Sequence, residues 1–439
     1  MTNRMGGNVR RMKWLETEME TVSLGTVVLP NVLFMTYFIQ HFRRPAAALP
    51  VIMFYVMVKT TPYALRSFGK VQNPLRLLRW SLLLALMGTL IATCSSLVVE
   101  GAILVGMGLA SVSPAYQQTK DHFKKLGVWL PSKAGLFAIG WLLLALVLGF
   151  ILGNINFIFF SLELAVLLAI AAVFAWRLPS WKDDPLFTGP WRFRPVIATI
   201  LILLMTLGAR GLKQTGEQQL VWLTLAMWVI MLGGFPWLQQ RIDASRLWTF
   251  LTGAVVNFLL IYGLFYFSAW GEYALLYTSY GLFILGMVGG LIVLRPLRQH
   301  SWLLTVAILA AGLLSMMIPS RWCYLGGVLV ASCCCSVINA AVWPTYARDI
   351  RLAGHARFTR QYYNILGSIV SQVTLISLLV ISNYLFNRHT NQLLAAYYHH
   401  QAVSGLNDPL WLSRAGCLIF LLIVLAVVTK QQMRLIDKS

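Results

Sequence analysis

The chain has 439 residues, 58% hydrophobic, 13% aromatic and only 11% charged, with a mean hydropathy of +0.71 and a formal charge of +21. A soluble domain carries about 25% charged residues, so this composition excludes a globule coated by its own polar surface. The apolar runs have helical length and lack the alternation of barrel strands, which identifies an all-α, polytopic membrane protein.

The first twenty residues contain Arg10, Arg11, Lys13 and three glutamates but no apolar core. No cleavable signal peptide is expected, and residues 1–21 read as a cytoplasmic segment. Hydropathy then predicts fourteen transmembrane helices. Six lie near 22–41, 45–65, 80–95, 97–116, 134–153 and 156–176, and two near 195–212 and 219–237. The last six lie near 247–268, 273–294, 301–318, 322–343, 362–385 and 410–429. The break between the third and fourth rests almost wholly on Ser95 and Ser96.

Charge gives an independent test of that count. With both termini cytoplasmic, 27 of the 35 lysines and arginines fall on inner segments. Seven, including Arg321 and Arg414, fall on outer ones, and Lys59 lies within a span. This is the asymmetry of the positive-inside rule. It accounts for the basic composition without a nucleic-acid partner; the partner of this surface is the lipid bilayer.

The parts outside the spans are small. The inner segment 177–194 carries Trp181, Pro185 and Pro190 and reads as a basic linker. The outer segment 387–409 holds His399 and His400, but adjacent histidines do not share a helix face, so no metal site is expected. The six cysteines show no metal or disulfide spacing, and no phosphate-binding loop is present. No cofactor is expected.

One device occurs twice. Residues 101–140 run from a glycine-rich helix through Pro114 and Tyr116 and a basic loop into another apolar helix; residues 326–367 do the same through Pro344 and Tyr346. Such repetition suggests a duplicated membrane protein. Each proline is expected to end or kink its helix, which would deliver the tyrosine to the inner interface.

The loop Arg66-Ser-Phe-Gly69-Lys70, its counterpart Gly290-Leu-Ile-Val-Leu-Arg295-Pro-Leu-Arg298, and Gly106-Met-Gly108 followed by Pro114-Ala-Tyr116 resemble motifs of the major facilitator superfamily. The overall arrangement is similar to that family's fourteen-span branch. The resemblance implies a six-helix bundle at 22–176, the linker at 177–194, an inserted helix pair at 195–246, a second six-helix bundle at 247–430 and a cytoplasmic tail at 431–439. The family's loop aspartate is missing from both loops. Ala102 stands where drug exporters often carry an arginine, no proline occurs in 132–153, and the first span lacks the E-x-x-E-R of peptide symporters.

Ionisable groups inside spans are costly and mark functional sites by default. Here they are Lys59, Glu100 and Glu163, the last able to carry a coupling proton. The neutral candidates are Asn31, Asn257, Asn339, Asn364 and Gln372. By the resemblance, Asn31 and Asn257 would line the cavity, with Tyr37, Tyr262, Tyr266 and Trp343 nearby. Gly101, Gly106, Gly108 and Ala110 permit close, sliding helix contacts. Gating candidates are Arg66, Gly69, Lys70, Pro114, Tyr116, Arg295, Arg298, Pro344 and Tyr346.

These features predict a secondary active transporter in the plasma membrane. It would move a small amphipathic solute by alternating access, with export preferred and a proton as the candidate coupling ion. The alternatives are a flippase for a lipid-linked intermediate and a non-transporting assembly factor. An enzyme is not expected, because Asp183-Asp184 and His399-His400 fall on opposite sides of the membrane.

Overall fold

A computed structural model describes residues 13–41, 45–127, 129, 134–179, 184–211, 222, 224–229, 231, 243–292, 302–349, 352, 355–386 and 405–436. The chain divides into two compact units. One comprises Met1–Leu203 with Gly354–Phe358, the other Leu204–Ala353 with Thr359–Ser439.

The first unit holds α1 (Lys13–Gly25), α2 (Val28–Gln40), α3 (Leu49–Ser67), α4 (Pro74–Ile91), α5 (Val98–Lys125), α6 (Ala134–Ile155) and α7 (Phe157–Arg177). The boundary between units falls inside α8 (Phe193–Gly211). Here α5 packs on α3 and α4, α4 also meets α7, and α1 lies against α6 and α7. The second unit holds α9 (Ala244–Ala269), α10 (Tyr273–Ile292), α11 (Trp302–Ser315), α12 (Arg321–Arg348), nearly all of α13 (Ala356–Leu385), and α14 (Asn407–Ile436). There α12 packs on α9, α10 and α11, and α14 packs on α9 and α11.

Among the described residues, eight helices are long and apolar enough to cross a membrane, or nine if α1 and α2 form one broken span. The remaining expected positions hold α3, which carries Lys59 and Arg66, and the shorter apolar stretches of α8, α10 and α11. Residues 219–237 lie mostly outside the described residues. The chain is thus a multi-pass helical membrane protein.

Short polar segments decide where helices stop and restart. Between α4 and α5 the chain turns over Ala92–Leu97, which resolves the Ser95-Ser96 break into two separate helices. The Asn73 side chain accepts from the Arg76 amide at 2.9 Å ahead of Pro74, and Asn156 accepts from Ile158 at 3.0 Å between α6 and α7. Both are N-caps that satisfy amides the helix itself cannot. At the other end of α7, Arg79 donates to the carbonyls of Ala175 (2.9 Å) and Leu178 (3.0 Å). This arginine therefore closes a helix C-terminus, where a cation also meets the negative end of the dipole.

Two sequence expectations are corrected. The first helix begins at Lys13, not near 22, and bends by 60° at Thr26-Val27. Pro30 explains the bend: it has no amide for the Thr26 carbonyl, and its ring crowds that carbonyl. Pro114 and Pro344, in contrast, do not end their helices. α5 runs on to Lys125 and α12 to Arg348. Proline is tolerated inside membrane helices when neighbouring groups take up the freed backbone positions. The supposed basic loop 117–133 is helical as far as Lys125.

The linker is pinned to the loop after α3 by a two-stranded antiparallel ribbon of β1 (Lys70–Val71) and β2 (Phe187–Thr188). Phe68 stacks on Phe187 at 5.5 Å, and the Arg192 amide donates to the Ser67 carbonyl at 2.8 Å. Gly69 sits at φ +102, with the Thr188 carbonyl where a Cβ would project. Only glycine meets both demands without strain.

Candidate functional site

The residues before the first predicted span build the most polar interior in the first unit. Leu15, Met19 and Val22 are buried, and so are the glutamates among them: Glu16, Glu18 and Glu20 are 5%, 7% and 5% exposed. Because α5 continues past Pro114, it carries Tyr116, Gln117 and Lys120 to the same place. Lys120 Nζ donates to Glu20 Oε1 and lies 3.9 Å from Glu16 Oε1. Trp129 Nε1 donates to Glu16 Oε1 at 3.1 Å, and Gln117 Nε2 lies 3.5 Å from Glu20 Oε2. The ammonium also stands 5.7 Å from the ring centroids of Tyr116 and Trp129. Two carboxylates thus flank one ammonium, while Glu18, two residues from each along the helix, falls on another face, and its Oε2 has no hydrogen-bond partner among the described residues.

Asp121, the next residue on α5, accepts from Arg357 Nε at 3.0 Å and Nη2 at 2.8 Å. Arg357 belongs to the 354–358 segment of this unit. His355, in the same segment, is pushed down to about 4, first by burial and then by the positive charges of Lys70, Arg66 and Arg192. It therefore stays neutral at physiological pH amid cations.

The second unit has a contrasting interior of aromatic rings around one arginine. Tyr262, Tyr324, Phe258 and Phe267 are fully buried, and Tyr266 is nearly so. Ring centroids of Tyr262, Tyr266 and Tyr324 lie 5.6–5.7 Å apart. Arg414, from α14, is 1% exposed, with its guanidinium 5.2 Å from the Tyr266 centroid and 5.9 Å from that of Tyr262. Deeper in the unit, Ser368 donates to Asn257 Oδ1 at 2.8 Å, and Thr252 donates to Asn339 Oδ1 at 3.2 Å.

The sequence candidates are distributed accordingly. Tyr116 joins the acidic cluster and Tyr262 the aromatic one. Asn257 and Asn339 enter separate hydrogen-bonded pairs. Arg66 ends α3, and Gly69 and Lys70 belong to the pinned loop that follows it. Tyr116 and Tyr346 are 0% and 2% exposed. This corrects the expectation of interfacial tyrosines, because their helices do not end at the prolines; Tyr346 donates to Thr249 Oγ1 at 3.1 Å. Lys59 stands 5.2 Å over the Tyr55 ring. Tyr37 stacks on His41 at 4.4 Å and meets Phe157 edge-on at 5.1 Å. Asn31 is half-buried in α2. Glu163 is half-buried on α7, with Oε2 lacking a partner among the described residues. Glu100 is exposed in the first turn of α5, where a carboxylate favours the helix dipole. Arg295, Arg298, His399 and His400 lie outside the described residues.

Glu16, Glu18, Glu20, Lys120 and Arg414 are the additions the structure makes. Their signals were weak. The glutamates depress local hydropathy, Lys120 follows a proline read as a helix stop, and Arg414 was counted to the outer surface. One usable clue was the run of Leu15, Met19 and Val22, which keeps a helical period through the acidic residues.

Buried charges inside the helical units of a multi-pass protein mark candidate functional sites. The solved structures that the chain is similar to place the fold more closely. The nucleoside transporter NupG superposes with a TM-score of 0.53 at 10% identity, covering 96% of this chain and 99% of that one. The fucose:proton symporter FucP of E. coli gives 0.50 at 11% identity, covering 95% and 99%. The chain therefore shares the fold of these two solved structures. No protein-family model and no curated protein matches the sequence.

Proposed function

We propose that this protein is a proton-coupled secondary transporter of a small amphipathic solute, working by alternating access. The observation that carries this reading is the pair of buried carboxylates, Glu16 and Glu20, that share Lys120, set in a fold shared with a nucleoside transporter and a fucose:proton symporter. Two buried carboxylates share one ammonium, which leaves a deficit of positive charge that an arriving proton would fill. Redistribution of that charge gives the cluster two states for coupling to bind differentially.

On this reading the chain comprises two six-helix bundles with an inserted helix pair. It sits in the plasma membrane with both termini cytoplasmic, as the distribution of lysine and arginine supports. Export is the proposed direction, resting on the aromatic, weakly charged character of most interior residues. Its neighbours in fold are transporters, which supports a transport role over an enzymatic one.

The test is reconstitution of the full chain into liposomes loaded with a pH dye, followed by challenge with nucleosides, sugars, peptides and lipophilic organic ions. Solute-dependent proton movement that Glu20→Gln abolishes supports the proposal. Solute flux that is insensitive to the proton gradient and unaltered in Glu20→Gln would remove the coupling role. No flux of any solute class would favour a non-transporting assembly role.

A further inference from the structure

We propose that Arg414 anchors an oxyanion-binding site in the second unit, holding the carboxylate or phosphate of a small amphipathic anion beside the Tyr262–Tyr266–Tyr324 rings. Arg414 is 1% exposed and donates from Nη2 to the Ile318 carbonyl at 3.2 Å, while Nε and Nη1 are buried with no partner among the described residues. A guanidinium carries five N–H donors and one full charge. Leaving it buried without an anion is expensive.

The tyrosines do not supply that anion. Tyr262 donates its hydroxyl to the Leu410 carbonyl at 3.0 Å, and Tyr324 donates to the Leu259 carbonyl at 3.2 Å. Their phenols are thereby committed to backbone carbonyls, and the rings of Tyr262 and Tyr266 offer Arg414 cation–π contact only.

Nor do the carboxylates of this part of the chain. Residues 204–439 contain six: Glu217, Asp243, Glu272, Asp349, Asp408 and Asp437. Glu272 pairs with Arg321 and Asp243 with Arg246. Asp349 caps the end of α12, and Asp408 is exposed in the first turn of α14. Glu217 and Asp437 lie outside the described residues, and the segment 387–404 contains no Asp or Glu at all. Arg414 forms no ion pair among the described residues.

A further polar group lies on the neighbouring helix. Leu378 of α13 packs where Gly416 of α14 would carry a Cβ. On the same helix Thr374 is 5% exposed and its Oγ1 has no partner among the described residues, nor does the Ser371 hydroxyl. The cation and the aromatic rings beside it suit an anion with an apolar body. The identity of that anion as cargo rests on the transport reading; the binding site does not.

The test uses thermal unfolding of the purified full-length chain in neutral detergent, titrated with benzoate, octanoate or inorganic phosphate, with benzamide as the neutral control. At least one oxyanion is expected to raise the midpoint, and benzamide is not. Arg414→Gln should weaken that anion's binding about tenfold to a hundredfold, the worth of a charge-assisted hydrogen bond. Arg414→Lys keeps the charge and should retain part of the response; it carries the comparison if the glutamine variant does not fold. Stabilisation confined to nanodiscs containing phosphatidylglycerol, and lost in the same variants, supports the site with a lipid phosphate as occupant. The proposal is overturned if the wild type responds to none of these anions or lipids, or if both variants respond as the wild type does. Anion binding that persists in Glu20→Gln while flux disappears would separate this site from the coupling cluster.

Discussion

Lys120, two turns beyond a proline in α5, is bonded to Glu20 in α1 across one hundred residues of sequence. Their side chains are 15% and 6% exposed. Removing one partner strands the other charge in the interior, so Glu20→Gln is expected to cost about 3–5 kcal/mol. The double variant Glu20→Gln/Lys120→Met should recover most of that stability without recovering proton-driven flux. A double-mutant cycle read by thermal unfolding checks the first statement and a liposome assay the second. Additive single effects would show that the two residues do not act as a pair.

Glu163 offers a separate carboxylate on α7, half-buried and with Oε2 lacking a partner among the described residues. Glu163→Gln keeps the shape and removes the ionisable group. Flux driven by a pH gradient is expected to fall in this variant while solute exchange at equal pH persists. Unchanged pH-driven flux would remove Glu163 from the mechanism.

His355 links stability to pH with a definite sign. Burial, and then Lys70, Arg66 and Arg192, lower its value from the ordinary 6.5 to about 4. Between those values the unfolded chain binds the proton and the native chain does not, so stability falls as pH drops from 6.5 toward 4. Above 6.5 the contribution is constant. His355→Gln should flatten this part of the stability profile relative to wild type; identical slopes in the two proteins would contradict the placement of His355 among those cations.

Glycines in α5 divide helix packing into tight and open sites. A Cβ at Gly108 would stand 2.6 Å from the Ser81 carbonyl oxygen and 2.7 Å from the Ala85 amide nitrogen. Backbone cannot move aside cheaply, so Gly108→Ala is expected to destabilise by about 1–3 kcal/mol. Gly140 in α6 meets nothing within 4 Å, and Gly140→Ala should be neutral or stabilising by roughly 0.5–1 kcal/mol through helix propensity. Equal effects at the two positions would argue against close α4–α5 contact.

Much of the helical framework was legible in the chain itself. Long apolar runs have to bury their backbone polar groups in helices when water is absent, and Asn73, Asn156 and Ser320 mark starts because their side chains accept from amides the helix leaves unpaired. The bend at Thr26-Val27 follows from Pro30 in the same local way. Pro114 and Pro344 show where local reasoning stops: each looks like a terminator, yet packing on both sides of the helix overrides the loss of one hydrogen bond.

The polar interior was less legible, because burial of a charge depends on partners distant in sequence. Composition and hydropathy by themselves determined that this is a multi-pass helical membrane protein, since those properties sum over many residues and need no contacts. Only the tertiary structure decided that Glu16, Glu18 and Glu20 belong to the interior rather than to a solvated leader, that Lys120 meets them, and that Arg414 is enclosed by tyrosines. A charge is affordable inside a membrane protein when another group meets it there, and that meeting is a property of packed helices, not of the sequence around either residue.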